Sequence, residues 1–62
     1  MNRIIVGLYT NEGHDVVFEE HSDSEVQVTE TYNGNTMPTV IVNLADAKAK
    51  QDQLSALGYQ LV

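Results

Sequence analysis

Helical punctuation occurs once in this chain. Asn43 is a good N-cap, and Asp46 follows three positions later, near the positive end of a helix starting at about Leu44. Gly58 suits the position just past a helix that ends at about Leu57, where positive φ is wanted. Between them Leu44, Ala47, Gln51 and Leu54 line one face with Leu57 at its edge, and Ala45, Ala49 and Ala56 make a second, smoother stripe. Elsewhere the apolar residues alternate with period two between turn signals. Such a chain lays one helix against one sheet. At ~1.5 Å per residue the helix spans about 20 Å, and a strand of about six residues at ~3.3 Å each spans the same, so one helix covers one sheet face.

Residues 3–9 read as the first strand, with Ile4, Val6 and Leu8 on one face and Ile5, Gly7 and Tyr9 on the other. Residues 10–14 form a turn in which Gly13 can take positive φ. Residues 15–20 follow as a second strand, with Val16 and Phe18 on one face, and pair with the first as a hairpin. After the polar turn 21–24, residues 25–32 alternate clearly: Val26, Val28 and Tyr32 point one way, and Glu25, Gln27, Thr29 and Thr31 the other. Glu30 breaks the apolar face, which places a sheet margin there. Asn33-Gly34-Asn35 is a strong turn signal.

Residues 39–42 admit two readings. Pro38 and the spacing of Val40, Ile41 and Leu44 suit a helix, whereas the β-branched run suits a strand. The strand is preferred, because Asn43 puts the helix start after it. Residues 59–62 make a short final strand. The stretch 40–62 thus carries a common strand, capped helix, Leu-Gly-Tyr, strand pattern, which is structure rather than chemistry.

The expected fold class is α+β: a small, mainly antiparallel sheet with one helix packed on one face, in the order β-β-β-β-α-β. The strand–helix–strand unit at the end is a candidate parallel crossover. A single domain over 1–62 is expected. The expected core is Ile4, Val6, Leu8, Val16, Phe18, Val26, Val28, Val40, Val42, Leu44, Ala47, Leu54, Leu57 and Leu61. Tyr9, Tyr32 and Tyr59 are expected at its margins, as contact anchors.

With 62 residues the chain buries only about 60% of its unfolded surface, and chains of this size often need a staple. There is no cysteine, so neither a disulfide nor a thiolate metal site is available. Either the sheet and helix suffice alone or a second copy helps, with Ala45, Ala49 and Ala56 as the expected dimer contact; the plainer account of that stripe is an exposed run of good helix formers. No uninterrupted apolar run exceeds that of Val40-Ile41-Val42, which is far below the ~20 residues that span a bilayer. Residues 1–8 lack a following small-residue cleavage site and do not read as a secretory signal. A cytoplasmic location is expected.

Nine acids face three basic residues, a net charge of −6. Glu12, Asp15, Glu19, Glu20, Asp23, Glu25 and Glu30 stand in the first half against Arg3 alone, while Asp46 and Asp52 balance Lys48 and Lys50. Direct nucleic-acid binding is disfavoured, since phosphates need Lys and Arg. Binding to an anionic membrane is disfavoured for the same reason.

Catalytic patterns are weak. His14, Asp15, Glu19, Glu20, His21 and Asp23 are metal-ligand types, but a strand over 15–20 puts the two histidines roughly 23 Å apart at ~3.3 Å per residue, far beyond metal bonds of about 2 Å. No metal and no cofactor is expected. Glu19 and Glu20 are adjacent in a strand and point to opposite faces; Glu20 and Glu30 converge only if the register allows. Ser22, Ser24 and Ser55 sit in no nucleophile elbow, and Asn33-Gly34-Asn35 is not a phosphate loop.

Three functions are therefore weighed. The first is a non-catalytic acidic interaction protein that binds a basic protein surface through Glu12, Asp15, Glu19, Glu20, Asp23, Glu25 and Glu30, as an inhibitor or nucleic-acid competitor of the phage or mobile-element kind. Acids on one strand face repeat every ~6.6 Å, near the phosphate spacing of a nucleic-acid strand. The plainer account of the same acids is a solvated face that keeps the protein soluble. The second is an assembly module that dimerises through helix and sheet-edge contacts. The third is a small-ligand-binding or metal-dependent enzyme.

Overall fold

Two residues set the first register. β1 (Gly7–Asn11) and β2 (His14–Glu20) are joined by Glu12 and Gly13 alone, both in the left-handed region at φ 41° and 84°. Paired positive φ values in a two-residue loop mark a type I′ turn, whose twist matches that of the strands it joins. Asn11 then faces His14, Tyr9 faces Val16 and Gly7 faces Phe18. Residues 6–62 are described in this computed structural model.

β3 (Glu25–Tyr32) pairs antiparallel along the whole of β2, with Phe18 opposite Val28 and His14 opposite Tyr32. Asn33 and Gly34 close a second turn with positive φ at both residues, and two residues of strand follow as β4 (Asn35–Thr36). The two turns lie at the same end of the sheet, and the Asn33 backbone N–H donates to the Gly13 carbonyl at 2.7 Å. β5 (Val40–Asn43) then pairs with the other half of β3, Val40 opposite Val28 and Val42 opposite Val26. The strand reading of residues 39–42 is therefore right, and β4 is an addition to the expected order.

α1 (Leu44–Ala56) starts at its expected cap: Asn43 Oδ1 accepts from the Asp46 backbone N–H at 2.7 Å. It ends in a Schellman motif. The Gly58 N–H donates to the Ser55 carbonyl and the Tyr59 N–H to the Leu54 carbonyl, with Gly58 at φ 94°. β6 (Gln60–Leu61) pairs antiparallel with β1. β5 and β6 run in the same direction, but on opposite edges of the sheet with β3, β2 and β1 between them. The crossover is thus wide, and every strand pairing among the described residues is antiparallel.

The core is Tyr9, Val16, Phe18, Val26 and Val28 from the sheet with Ala47 and Leu54 from the helix; Val42, Leu44 and Tyr59 pack around it. The Tyr9 and Phe18 rings meet edge to face, centroids 5.6 Å apart. Ala47 is fully buried, and its small side chain lets the helix lie close to the sheet.

Several expected core positions are corrected. Val6, Val40, Leu57 and Leu61 are 64%, 56%, 63% and 61% exposed, and Leu8 is only half-buried. Tyr9, expected at the margin, is buried. Both faces of the first strand are apolar, so alternation alone does not choose between them. The register does: Tyr9 lies opposite Val16, which turns the Gly7–Tyr9 face inward and the Val6–Leu8 face outward. A Cβ at Gly7 would come within 2.9 Å of Leu61 Cδ1, so the exposed Leu61 side chain would have to swing aside. Val40 shares the helix-side face but lies on an edge strand. Ile4 lies outside the described residues.

Phe18→Ala should cost about 3–5 kcal/mol. A chain of this size holds only about 3–9 kcal/mol at ~0.05–0.15 kcal/mol per residue. The variant should lose roughly half or more of its stability, read as a urea midpoint far below that of the parent protein; an unchanged midpoint would take Phe18 out of the core.

Candidate functional site

The register divides the acidic residues between two faces. Val16, Phe18 and Val26 point toward the helix, so Asp15, Glu19 and Glu25 point away from it. Glu19 faces Gln27, and Glu25 stands two residues along β3 from that partner. Glu19 and Glu25 are therefore diagonal neighbours, about 7–8 Å apart. Asp15 lies four residues along β2, roughly 13 Å away at ~3.3 Å per residue, and accepts a 2.5 Å hydrogen bond from Thr10 Oγ1. Leu8, Val17 and Ile41 share this helix-free face with Gln27, Thr29 and Thr31.

The other acids lie elsewhere. Glu12 sits in the first turn and Asp23 in the loop at the opposite end of the sheet. Glu20 is exposed on the helix-side face. Glu30 shares that face, but Glu20 pairs with Val26 and Glu30 with Val16, about 13 Å apart at ~3.3 Å per residue. They do not form a carboxylate pair. Among the described residues the acids of the first half form ion pairs only through Glu30. His14 and His21 lie at the two ends of β2, and no group of three or more metal-ligand residues converges among the described residues.

The exposed alanines sit on the far pole of the helix. At about 100° per residue Ala45, Ala49 and Ala56 fall opposite Ala47, which is buried on the sheet. They point away from the sheet.

What the residue pattern did not reveal is a polar cluster at the margin of the core. His14, Glu30 and Tyr32 share the helix-side face, which turns from apolar to polar at its end. The Schellman turn at Gly58 brings Tyr59 back against them. His14 Nε2 lies 2.9 Å from Glu30 Oε1, and His14 Nδ1 lies 2.5 Å from Tyr59 Oη. The Tyr32 hydroxyl donates to the same Glu30 oxygen at 2.9 Å, and Lys50 Nζ on α1 stands 3.5 Å from Glu30 Oε2. The His14 ring stacks on Tyr32 with centroids 4.1 Å apart and meets Tyr59 edge-on at 5.4 Å. Two signals for this cluster were in the sequence: Glu30 interrupting an apolar face, and a tyrosine directly after a helix-ending glycine.

Partial burial by itself would raise the Glu30 carboxyl. The hydrogen bonds from Tyr32 and His14 and the nearby Lys50 charge outweigh it and hold the group below the ordinary carboxylate value of 4.5. In return, the hydrogen bond to Glu30, some burial, and the Glu30 charge and Tyr59 push the Tyr32 hydroxyl above 10.0.

No protein-family model, curated protein or solved structure matches the chain. No helix among the described residues is long and apolar enough to cross a membrane.

A carboxyl held low in the folded state adds stability that is complete above its unfolded value and is lost as pH falls through the folded value. Stability should therefore drop as pH falls below about 4.5, and Glu30→Gln should flatten that part of the profile. Urea midpoints measured from pH 6 to pH 3 on both proteins check this; parallel profiles would show that Glu30 contributes nothing.

Proposed function

We propose that this chain is a non-catalytic interaction protein that docks its helix-free sheet face on a basic protein surface. One observation carries the reading: Asp15, Glu19 and Glu25 stand together on the face that no helix covers, without a cationic partner among the described residues. The Leu8–Val17 pair, and Ile41 on the far side of β3, supply apolar area, and the carboxylates supply orientation and steering toward Lys and Arg. A partner groove that ordinarily holds phosphate has the matching chemistry, so inhibition by competition with nucleic acid belongs to this proposal. So does a cytoplasmic setting. Glu12, Glu20, Asp23 and Glu30 lie off this face, and toward such a partner they contribute net charge alone.

The test holds charge constant and moves it. Asp15→Asn, Glu19→Gln and Glu25→Gln together should weaken partner capture about tenfold at low salt, at ~0.5 kcal/mol per exposed pair. Glu12→Gln, Glu20→Gln and Asp23→Asn remove the same charge from other places and should leave capture intact. Pull-downs at 50 mM and 300 mM salt, read by mass spectrometry, compare the two triple variants. Equal losses would replace a docking face with a general charge effect.

A second reading, a dimer through sheet edges, has one observation of its own. β5 is an edge strand without a charged residue, and Val40 and Ile41 on it are 56% and 40% exposed. Edge strands are ordinarily guarded by charge, proline or a bulge. In sedimentation at high concentration an edge dimer should dissociate with Ile41→Lys and persist with Ala49→Glu. A wild-type monomer under the same conditions removes this reading.

A further inference from the structure

The polar cluster on the opposite face from the proposed docking surface has the layout of an assisted nucleophile. Three groups stand in line: the Tyr59 hydroxyl, the His14 imidazole and the Glu30 carboxylate, joined at 2.5 Å and 2.9 Å. A carboxylate only accepts, so the proton of the neutral ring sits on Nε2 and is donated to Glu30. Nδ1 is then left as the acceptor, and the Tyr59 hydroxyl donates to it. A base within reach of a hydroxyl, with a third group fixing the tautomer of the base, is the general arrangement that activates hydroxyl nucleophiles. The ring is held in place by Tyr32 stacked on one face and by Tyr59 at its edge. The charged and titratable groups around it are Glu30 and Tyr32 from β3, Tyr59 after α1, and Lys50 from α1, which reaches the far oxygen of Glu30.

We propose that Tyr59 is a nucleophile that accepts an acyl group from a neutral activated ester, with His14 as its general base and Glu30 positioning His14. A neutral electrophile is the fitting class because the chain's net charge of −6 repels anionic donors. Tyr59 Oη attacks the acyl carbon and forms the new C–O bond. The hydroxyl proton passes to Nδ1 of His14, and the imidazolium is stabilised by Glu30. The bond to the leaving group breaks, and that group departs with its electron pair. The product is an O-acyl tyrosine, one per chain. This inference is independent of the docking face, since none of these residues lies on it.

The test uses the intact protein and 4-nitrophenyl acetate, following 4-nitrophenolate release and locating the acetyl group by mass spectrometry; hydroxylamine should remove it. Tyr59 should be acetylated at least tenfold faster than Tyr32, although Tyr32 is 44% exposed and Tyr59 is partly buried. The wild-type rate should level off once the imidazole is neutral, whereas attack by tyrosinate alone climbs tenfold per pH unit toward about 10. His14→Phe, which keeps a ring between the tyrosines, should slow Tyr59 about a hundredfold. Glu30→Gln should slow Tyr59 acetylation and Glu30→Asp should restore part of the rate, because only the amide removes the counter-charge of the imidazolium formed in the step. Acetylation first at Tyr32, His14 or Lys50 overturns the proposal. So does a wild-type Tyr59 rate that climbs without levelling, which needs no variant to fold. An unchanged Tyr59 rate in Glu30→Gln removes the role of Glu30.

Discussion

The pairing of β1 with β2 governs the rest of the molecule. A two-residue loop leaves no slack, so once Glu12 and Gly13 adopt their left-handed conformations, Asn11 must face His14. Side chains alternate with period two, and a slip by one residue would exchange the two faces. From this one constraint Tyr9 goes inward beside Val16 and Phe18, and Asp15, Val17 and Glu19 go outward. The same register, carried across to β3, sets His14 against Tyr32 at the end of the core.

The two faces of the sheet consequently have different electrostatics. On the helix side Glu30 is shared among His14, Tyr32 and Lys50. On the open side Glu19 and Glu25 face solvent and Asp15 is half-buried against Thr10, beside the Leu8–Val17 pair. The helix makes this division. Only Ala47 and Leu54 of α1 are buried, so it depends on its two caps as well as on its narrow inner stripe. Asn43 starts it beside β5, and Gly58 ends it where Tyr59 can reach His14. Lys50, on the same helix, neutralises the acid that would otherwise stand unpaired at the core margin.

Much of this was legible in the residues, and what was not has a physical reason. The strand at 25–32, both Gly-containing turns and both ends of the helix follow from local chemistry: alternation, left-handed φ, and side-chain capping of orphan backbone groups. The expected core failed at Val6, Leu57 and Leu61, where apolar character was read as burial. In a chain this small the sheet has more apolar positions than one helix can cover, and the edges stay wet. The wide crossover, with β5 and β6 on opposite edges, was hidden because strand order is a property of pairing between distant segments. The seven acids of the first half looked like one surface, yet alternation sent them to two faces and two turns. The polar cluster was the least visible feature, since it joins residues as far apart as His14 and Tyr59.

By itself, then, the sequence determined the elements: an α+β chain, antiparallel strands with tight turns, one capped helix, and negative charge gathered in its first half. Those properties arise within a few residues of each other, where backbone sterics and capping act. Only the tertiary structure decided which face of β1 is inside, which acids stand together, and that His14, Glu30 and Tyr59 align. Those outcomes depend on cross-strand register and on where the helix returns the chain. Both are set by packing between segments, which no local pattern contains.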